Sequence, residues 1–242
     1  MIVTQSKRSD VSDQVVKFSN SNLYGEWFVG NAATSMNTVS GLYLGTVLTT
    51  DATHSKSIDQ YGPYYEATTS ALAGNNAGHA FSFTNNSLAL NLPAMHKVSV
   101  LFDRVTNMRC FIGLSASTTL ASGIDADNLS VNSFGLQFST ARGDTTWQLV
   151  SYNGSQSRVS STIAPVAGEK VEAIFWWTSS STVNVVIKQY SAAATKVVYA
   201  GQITSNLLTG TTALSPNFGF ESTSAATISM KCYGVKSEYL NV

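Results

Sequence analysis

The residues best suited by type to do chemistry are carboxylates, and they are few and scattered. Hydrolysis of a glycosidic bond needs two carboxyl groups, one on each side of the scissile bond. Glu169 and Glu172 flank Lys170 but stand three apart, which on a strand points them to opposite faces. Glu26, Glu66 and Glu221 are isolated. Among them Glu66, between Tyr65 and Ala67, is the candidate for lining a ligand-binding face. His54, His79 and His96 lack metal-ligand spacing, no serine sits in Gly-x-Ser-x-Gly, and neither cysteine has a neighbouring histidine. Nothing therefore favours a nucleophile–base pair, and the chain is expected not to be an enzyme.

Binding chemistry has more material. The aromatic residues Trp147, Tyr152, Trp176, Trp177 and Tyr190 could stack on sugar rings, with core packing as the competing role. Adjacent residues on a strand face opposite ways, so one of Trp176 and Trp177 is expected in the core and the other outside or at a subunit contact. Asp125, Asp127 and Asn128 form an acid-rich loop whose oxygens could hold calcium. An Asp-x-Asp-x-Asp-Gly run is absent, and acids in turns ordinarily face water. Arg142-Gly143-Asp144 reads as turn chemistry with glycine supplying positive φ. Asn85, Asn128 and Asn153 stand in Asn-x-Ser, which matters only in a eukaryotic secretory pathway.

The elements that must position these residues are strands. Val98–Phe102 and Arg109–Leu114, joined by the polar turn 103–107, read as two central strands, the second an apolar run broken by glycine. Phe134, Leu136 and Phe138 alternate with Gly135 and Gln137, the period of a strand with one buried face. That strand is expected to form a hairpin with 146–152. Tyr64–Thr69 and Gly78–Phe83, around Gly74-Asn75-Asn76, are expected to form another. Residues 49–60 read as a polar loop, 41–48 as a strand and 115–132 as a long loop. Further strands are expected at 24–29, 157–163, 170–177, 183–190, 196–203, 217–221, 227–233 and 235–240. About fourteen short strands at this turn spacing indicate a sandwich or barrel. Residues 1–23 are polar apart from Val15–Phe18 and are expected to form an arm or peripheral strand, leaving 24–242 as one domain.

Composition narrows the class further. Of 242 residues 43% are hydrophobic and 10% aromatic, enough for a sizeable core and unlike a disordered chain. Charged residues make up 12%, against a usual share of roughly 25%, so the surface must rely on Ser, Thr, Asn and Gln. Net charge is zero and the pI about 6.8, which argues against nucleic acid as a partner and gives little protection against self-association. No apolar run reaches the ~18–20 residues of a membrane helix, so no membrane insertion is expected. Cys110 and Cys232 are too few for a disulfide framework and lie in apolar strand patterns, which suits buried thiols better than one disulfide. The start MIVTQSKRSD has no charged segment leading into an apolar core, so no secretory signal is expected there.

Taken in order, YYEATTSALAGNNAGHAFSF, RCFIGLSAS, FGLQFS, TWQLVSYNG, KVEAIFWW after Gly-Glu, VNVVIKQY, ALSPNFGFES and ATISMKCYGVKSEYL resemble a known pattern. It is that of the concanavalin-like (lectin/glucanase) jelly-roll modules in head and tail appendage proteins of tailed bacteriophages, matched over roughly residues 24–242. The resemblance implies an all-β fold, a single antiparallel two-sheet β-sandwich of jelly-roll type with a concave face. It also implies a non-enzymatic structural protein of the virion, made in the host cytoplasm and released with the particles. Its partners would be other virion proteins and further copies of itself, for instance in a trimer, and it could display a host-recognition surface. The related glucanases carry Glu-x-Asp-x-x-Glu on one strand, which this chain lacks. The lectin side of the resemblance implies the alternative function, capture of surface glycans by Glu66 and the aromatic residues, and adds interest to the calcium loop, since many legume-type lectins hold calcium.

Overall fold

The structure is a computed structural model, which describes residues 21–28, 37–39, 46–47, 53–80, 88–117, 127–191, 196–208 and 210–240. Among these the elements are all strands, in two antiparallel sheets. One sheet contains β1 (Ser21–Phe28), β2 (Asn37–Val39), β4 (Thr53–Asp59), β5 (Gly62–Thr68), β7 (Ala94–Phe102), β12 (Lys170–Ser179), β13 (Thr182–Tyr190), β14 (Lys196–Ile203) and β16 (Ser229–Leu240). The other contains β3 (Thr46–Val47), β6 (Asn76–Ala80), β8 (Met108–Ser115), β9 (Ser133–Ser139), β10 (Gln148–Tyr152), β11 (Gln156–Ser160) and β15 (Ser215–Ser222). The nine-stranded sheet runs β14-β13-β12-β7-β16-β1-β2, with β5 also on β16 and β4 on β5; the seven-stranded sheet runs β11-β10-β9-β8-β15-β6-β3.

Alternation builds the core between them. Val98, Val100 and Phe102 of β7, Val171, Ala173, Phe175 and Trp177 of β12, and Val183, Val185 and Ile187 of β13 point inward. They meet Cys110, Ile112 and Leu114 of β8, Phe134, Leu136 and Phe138 of β9, and Phe218 and Phe220 of β15. Trp147 lies among them, tilted against Phe102 and Phe138. Cys110 and Cys232 are buried thiols on opposite sheets; burial pushes Cys232 up to about 12 and Cys110 higher still.

Several elements depart from the sequence expectation. The strands on either side of the 103–107 turn do not pair, because β7 and β8 lie in opposite sheets. The hairpin expected around Gly74 is likewise a crossing between sheets. The Gly74 N–H donates to the Ser222 carbonyl at 2.8 Å and the Ser222 N–H to the Asn75 carbonyl at 2.9 Å, which pins the turn to the end of β15. Within 49–60, Thr53–Asp59 forms β4, an edge strand whose polar residues suit exposure. Ser21–Leu23, expected in an arm or a peripheral strand, belong to β1, while residues 1–20, most of 41–48, and 81–83 of the expected hairpin lie outside the described residues. Both faces of β9 are buried rather than one, because Leu129 packs with Phe111 and Val150 outside the seven-stranded sheet.

Gly113 and Gly135 stand directly opposite each other on β8 and β9. A Cβ at Gly135 would meet the Ile112 carbonyl oxygen and come within 2.8 Å of the Gly113 Cα. Gly135→Ala is therefore expected to lower unfolding free energy by about 1–3 kcal/mol, read from the urea midpoint.

Candidate functional site

The site begins with an irregular spacing in β16. Met230 and Cys232 point into the core, and so does Val235, one residue later than strict alternation allows. The strand absorbs the extra residue as a bulge between Cys232 and Gly234, which leaves Tyr233 outside the ladder to β7. Such bulges re-aim a side chain. At the same point the far edge of β16 changes partner, from β5 over Ser229–Cys232 to β1 over Gly234–Leu240. Tyr233 stands at that fork.

The turn between β4 and β5 reaches the same place. Asp59 Oδ1 accepts the Tyr61 N–H at 2.9 Å, an Asx-type turn, and Gly62 supplies φ +113°. This leaves Asp59 Oδ2 to accept from the Tyr233 hydroxyl at 2.8 Å and from Lys231 Nζ at 3.0 Å. The Tyr61 ring meets that of Tyr233 edge-on at 5.9 Å, and its hydroxyl donates to the Tyr190 carbonyl at 3.2 Å. Lys231 lies over Tyr64, 4.2 Å from the ring centroid. From the start of β12, Lys170 Nζ stands 5.0 Å from the Tyr190 centroid, 5.4 Å from Tyr61 and 5.8 Å from Tyr233. Beside this cluster opens a recess of about 480 Å³, lined by Asp59, Gln60, Tyr61, Leu101, Asp103, Gly168 and Lys231.

The electrostatics hold the site in one charge state near neutrality. Burial raises the Asp59 carboxyl, but hydrogen bonds from the Tyr61 N–H, Tyr233 and Lys231 outweigh it and keep it below the usual range. Burial lowers Lys231, yet Asp59 and Tyr64 hold it above the ordinary lysine value. Glu172, next along the same face, is also raised by burial and then lowered past its usual value by Lys97, Lys170 and Lys188. Its oxygens lie 3.3 Å from Lys97 Nζ and 3.9 Å from Lys170 Nζ, and it accepts the Tyr190 hydroxyl at 3.3 Å. A carboxylate held ionised in this way is a poor proton donor at neutral pH. What the recess offers is the Tyr61 ring, the Lys231 ammonium, the Asp59 and Asp103 carboxylates and the Gln60 amide, chemistry suited to a polyhydroxylated ring.

The residues named from the sequence are spread over the molecule. Glu66 borders the site: it stands opposite Lys231 in register and accepts from the Ser55 hydroxyl at 3.3 Å. Tyr190 is within it. Trp176 is on the same face but at the far end of β12, against Met95, Ile174, Val186 and Leu240. Trp177 is its inward neighbour and fully buried, and Trp147 is 1% exposed, so neither offers a ring to a sugar and their core roles win. Tyr152 is on the other sheet, packed on Phe111, Leu129 and Val150. Asp127 and Asn128 turn toward arginines. Asp127 Oδ1 lies 3.8 Å from Arg109 Nε and accepts from Ser139 Oγ at 2.5 Å, and Asn128 Oδ1 accepts from Arg142 at 2.7 Å. Asp125 lies outside the described residues. Among those residues no three His, Cys, Asp or Glu side chains cluster as metal ligands. Asp144 accepts from Arg158 with both oxygens, at 2.7 and 2.6 Å, so the Arg-Gly-Asp turn between β9 and β10 is tied to β11.

The sequence reading missed Asp59, Tyr61, Lys170, Lys231 and Tyr233. The odd spacing of Cys232 and Val235 was the available signal for the bulge, and Asp-x-Tyr-Gly-Pro for the turn.

No protein-family model matches the chain, and neither does any curated protein. Solved structures do. A protein of unknown function from Shewanella oneidensis MR-1 superposes with a TM-score of 0.56 at 12% identity, covering 99% of this chain and 98% of that one. A seed lectin of Lotus tetragonolobus gives 0.51 at 12% identity, over 82% of this chain and 95% of the lectin. Botulinum neurotoxin type C, which interacts with two ganglioside molecules, gives 0.50 at 7% identity, over 90% of this chain and 47% of that one. At these identities the likeness concerns the fold, which is a concanavalin-like β-sandwich.

Proposed function

We propose that this protein is a non-enzymatic, lectin-like carbohydrate-binding module that takes a glycan at the recess lined by Asp59, Tyr61 and Lys231. One observation carries the reading: four separate stretches of chain line an open recess of about 480 Å³ and bring Asp59, Gln60, Tyr61, Asp103 and Lys231 to it. The fold shared with a seed lectin and a ganglioside-interacting toxin supports it. Tyr61 would carry an apolar sugar face while Asp59, Lys231 and Gln60 meet hydroxyls. The cations at the site are its own lysines, so binding is expected to persist in EDTA. Display on a bacteriophage appendage, among other virion proteins, is the finer part of the proposal and rests on the sequence resemblance.

The test is a glycan array with the purified chain, with hits re-measured by calorimetry on Tyr61→Ala. Tyr61→Ala is expected to weaken binding about tenfold without glycan cleavage by either protein. Affinity unchanged in Tyr61→Ala would move the site elsewhere, and cleavage would make the protein an enzyme.

A further inference from the structure

The charged residues lining the recess are Asp59, Asp103 and Lys231, and two of them cancel. Asp59 Oδ2 and Lys231 Nζ form an ion pair at 3.0 Å. Asp103 differs. It follows β7 two residues past Leu101, about 7 Å along the strand direction, and is exposed. Its Oδ1 accepts the Ser229 N–H at 2.7 Å and its Oδ2 the Ser229 hydroxyl at 3.4 Å, so neutral donors fix the carboxylate in place. No ammonium or guanidinium pairs with it among the described residues, and each oxygen keeps a lone pair for a ligand. Lys170 and Arg104, the neighbouring cations, do not line the recess. Lys170 stands over the rings of Tyr61, Tyr190 and Tyr233, 3.9 Å from Glu172. The lining therefore sums to one negative charge. A recess of this size is roughly one screening length, ~8 Å, across, so a bound ring feels that sum.

We infer that the recess selects glycans bearing an unsubstituted amino group, with Asp103 accepting the sugar ammonium. This selectivity rests on the glycan reading and names its ligand class. A protonated amino sugar carries a positive charge on a ring with an apolar face, so one residue of the glycan can meet both Tyr61 and Asp103. The Tyr61 ring itself attracts an ammonium. N-acetylation removes the charge and leaves Asp103 only an amide N–H to accept. A uronate brings a second negative charge to a recess that already has one in excess, and is repelled. The exposure of Asp103 sets the size of the effect: a charge pair in that setting favours the amine by about fivefold. A divalent cation is a poorer match, because Asp59 already holds Lys231 and one further carboxylate falls well short of the oxygen ligands calcium takes.

The test is an array on which each amino sugar oligomer appears twice, with its amines unsubstituted and N-acetylated, beside neutral and uronate oligomers. It is run with the full chain at about pH 6, where sugar amines are protonated and carboxylates ionised. The amine form should bind about fivefold tighter than its acetylated twin, and the uronates most weakly. Raising salt to about 0.5 M should erase most of that difference. Asp103→Asn, whose side-chain carbonyl can still accept the Ser229 N–H, should bring the twins within about twofold, with melting checked to confirm the fold. Equal binding of the twins by the wild-type chain, hits confined to neutral or acidic glycans, or a preference that survives in Asp103→Asn would each overturn the selectivity and leave the glycan reading standing. An array with no hit at all would overturn both.

Discussion

Replacing Trp177 by alanine should cost about 3–5 kcal/mol, while the same change at its neighbour Trp176 should cost about 1 kcal/mol. The two indoles differ only in which side of β12 they leave. Trp177 is fully buried and packs edge-on against Phe134 at 5.6 Å. Its Nε1–H points at the carbonyls of Ala89 at 3.2 Å and Leu92 at 2.8 Å, tying the segment before β7 to the core. Alanine there leaves a cavity and removes the donor from both carbonyls. Trp176 lies on the outer face, half-buried on Met95 and Ile174, where solvent can fill the space left behind. Thermal denaturation of the two variants checks this: a drop of roughly 10 °C or more for Trp177→Ala and only a few degrees for Trp176→Ala. Equal losses would contradict the assignment of faces.

The second large effect is acid sensitivity set by His96. This side chain is fully buried between the sheets, stacked on Phe175 at 6.2 Å, with Nδ1 3.0 Å from the Ser237 hydroxyl. Its Nε2 is buried with no hydrogen-bond partner among the described residues. Burial lowers its pKa to about 3, from 6.5 in the open chain. Above pH 6.5 both states carry a neutral ring and His96 adds no slope. Below it the unfolded chain takes up a proton that the folded chain refuses, so stability falls by about 1.4 kcal/mol per pH unit. Between pH 6.5 and 4.5 the loss should reach about 3 kcal/mol. Asp59 and Glu172, whose folded pKa values are lowered, keep their contributions until pH falls below their unfolded values of 3.8 and 4.5. Urea midpoints of wild type and His96→Gln across this window separate the cases. The variant should be less stable at pH 7 but flatter with pH, and parallel profiles would show that His96 is not the group titrating.

Strand positions were legible because alternation is local. Phe134, Leu136 and Phe138 mark the inward face of β9 correctly, and Trp176-Trp177 divide between the two faces of β12 as adjacent strand residues must. Sheet membership was not legible, because partner choice is decided across long sequence distances. Nothing within Val98–Leu114 tells that its two strands face each other across the core rather than pair. The site was hidden for the same reason. Asp59 and Tyr61 read as loop residues, and Lys231 and Tyr233 join them from about 170 positions away. Asp125, Asp127 and Asn128 drew notice as a local acid cluster, but Arg109 on β8 and Arg142 in the β9–β10 turn, both outside that loop, claim the latter two.

The most direct measurement is to titrate an array-positive glycan into isotope-labelled protein and map the amide shifts. Binding at the recess predicts changes centred on Asp59, Tyr61, Lys231 and Tyr233, fading toward Trp176. Changes confined to Tyr152, Arg158 and the 127–132 loop would place the ligand on the opposite sheet and contradict the assignment, and an array with no positive glycan would contradict the lectin reading itself.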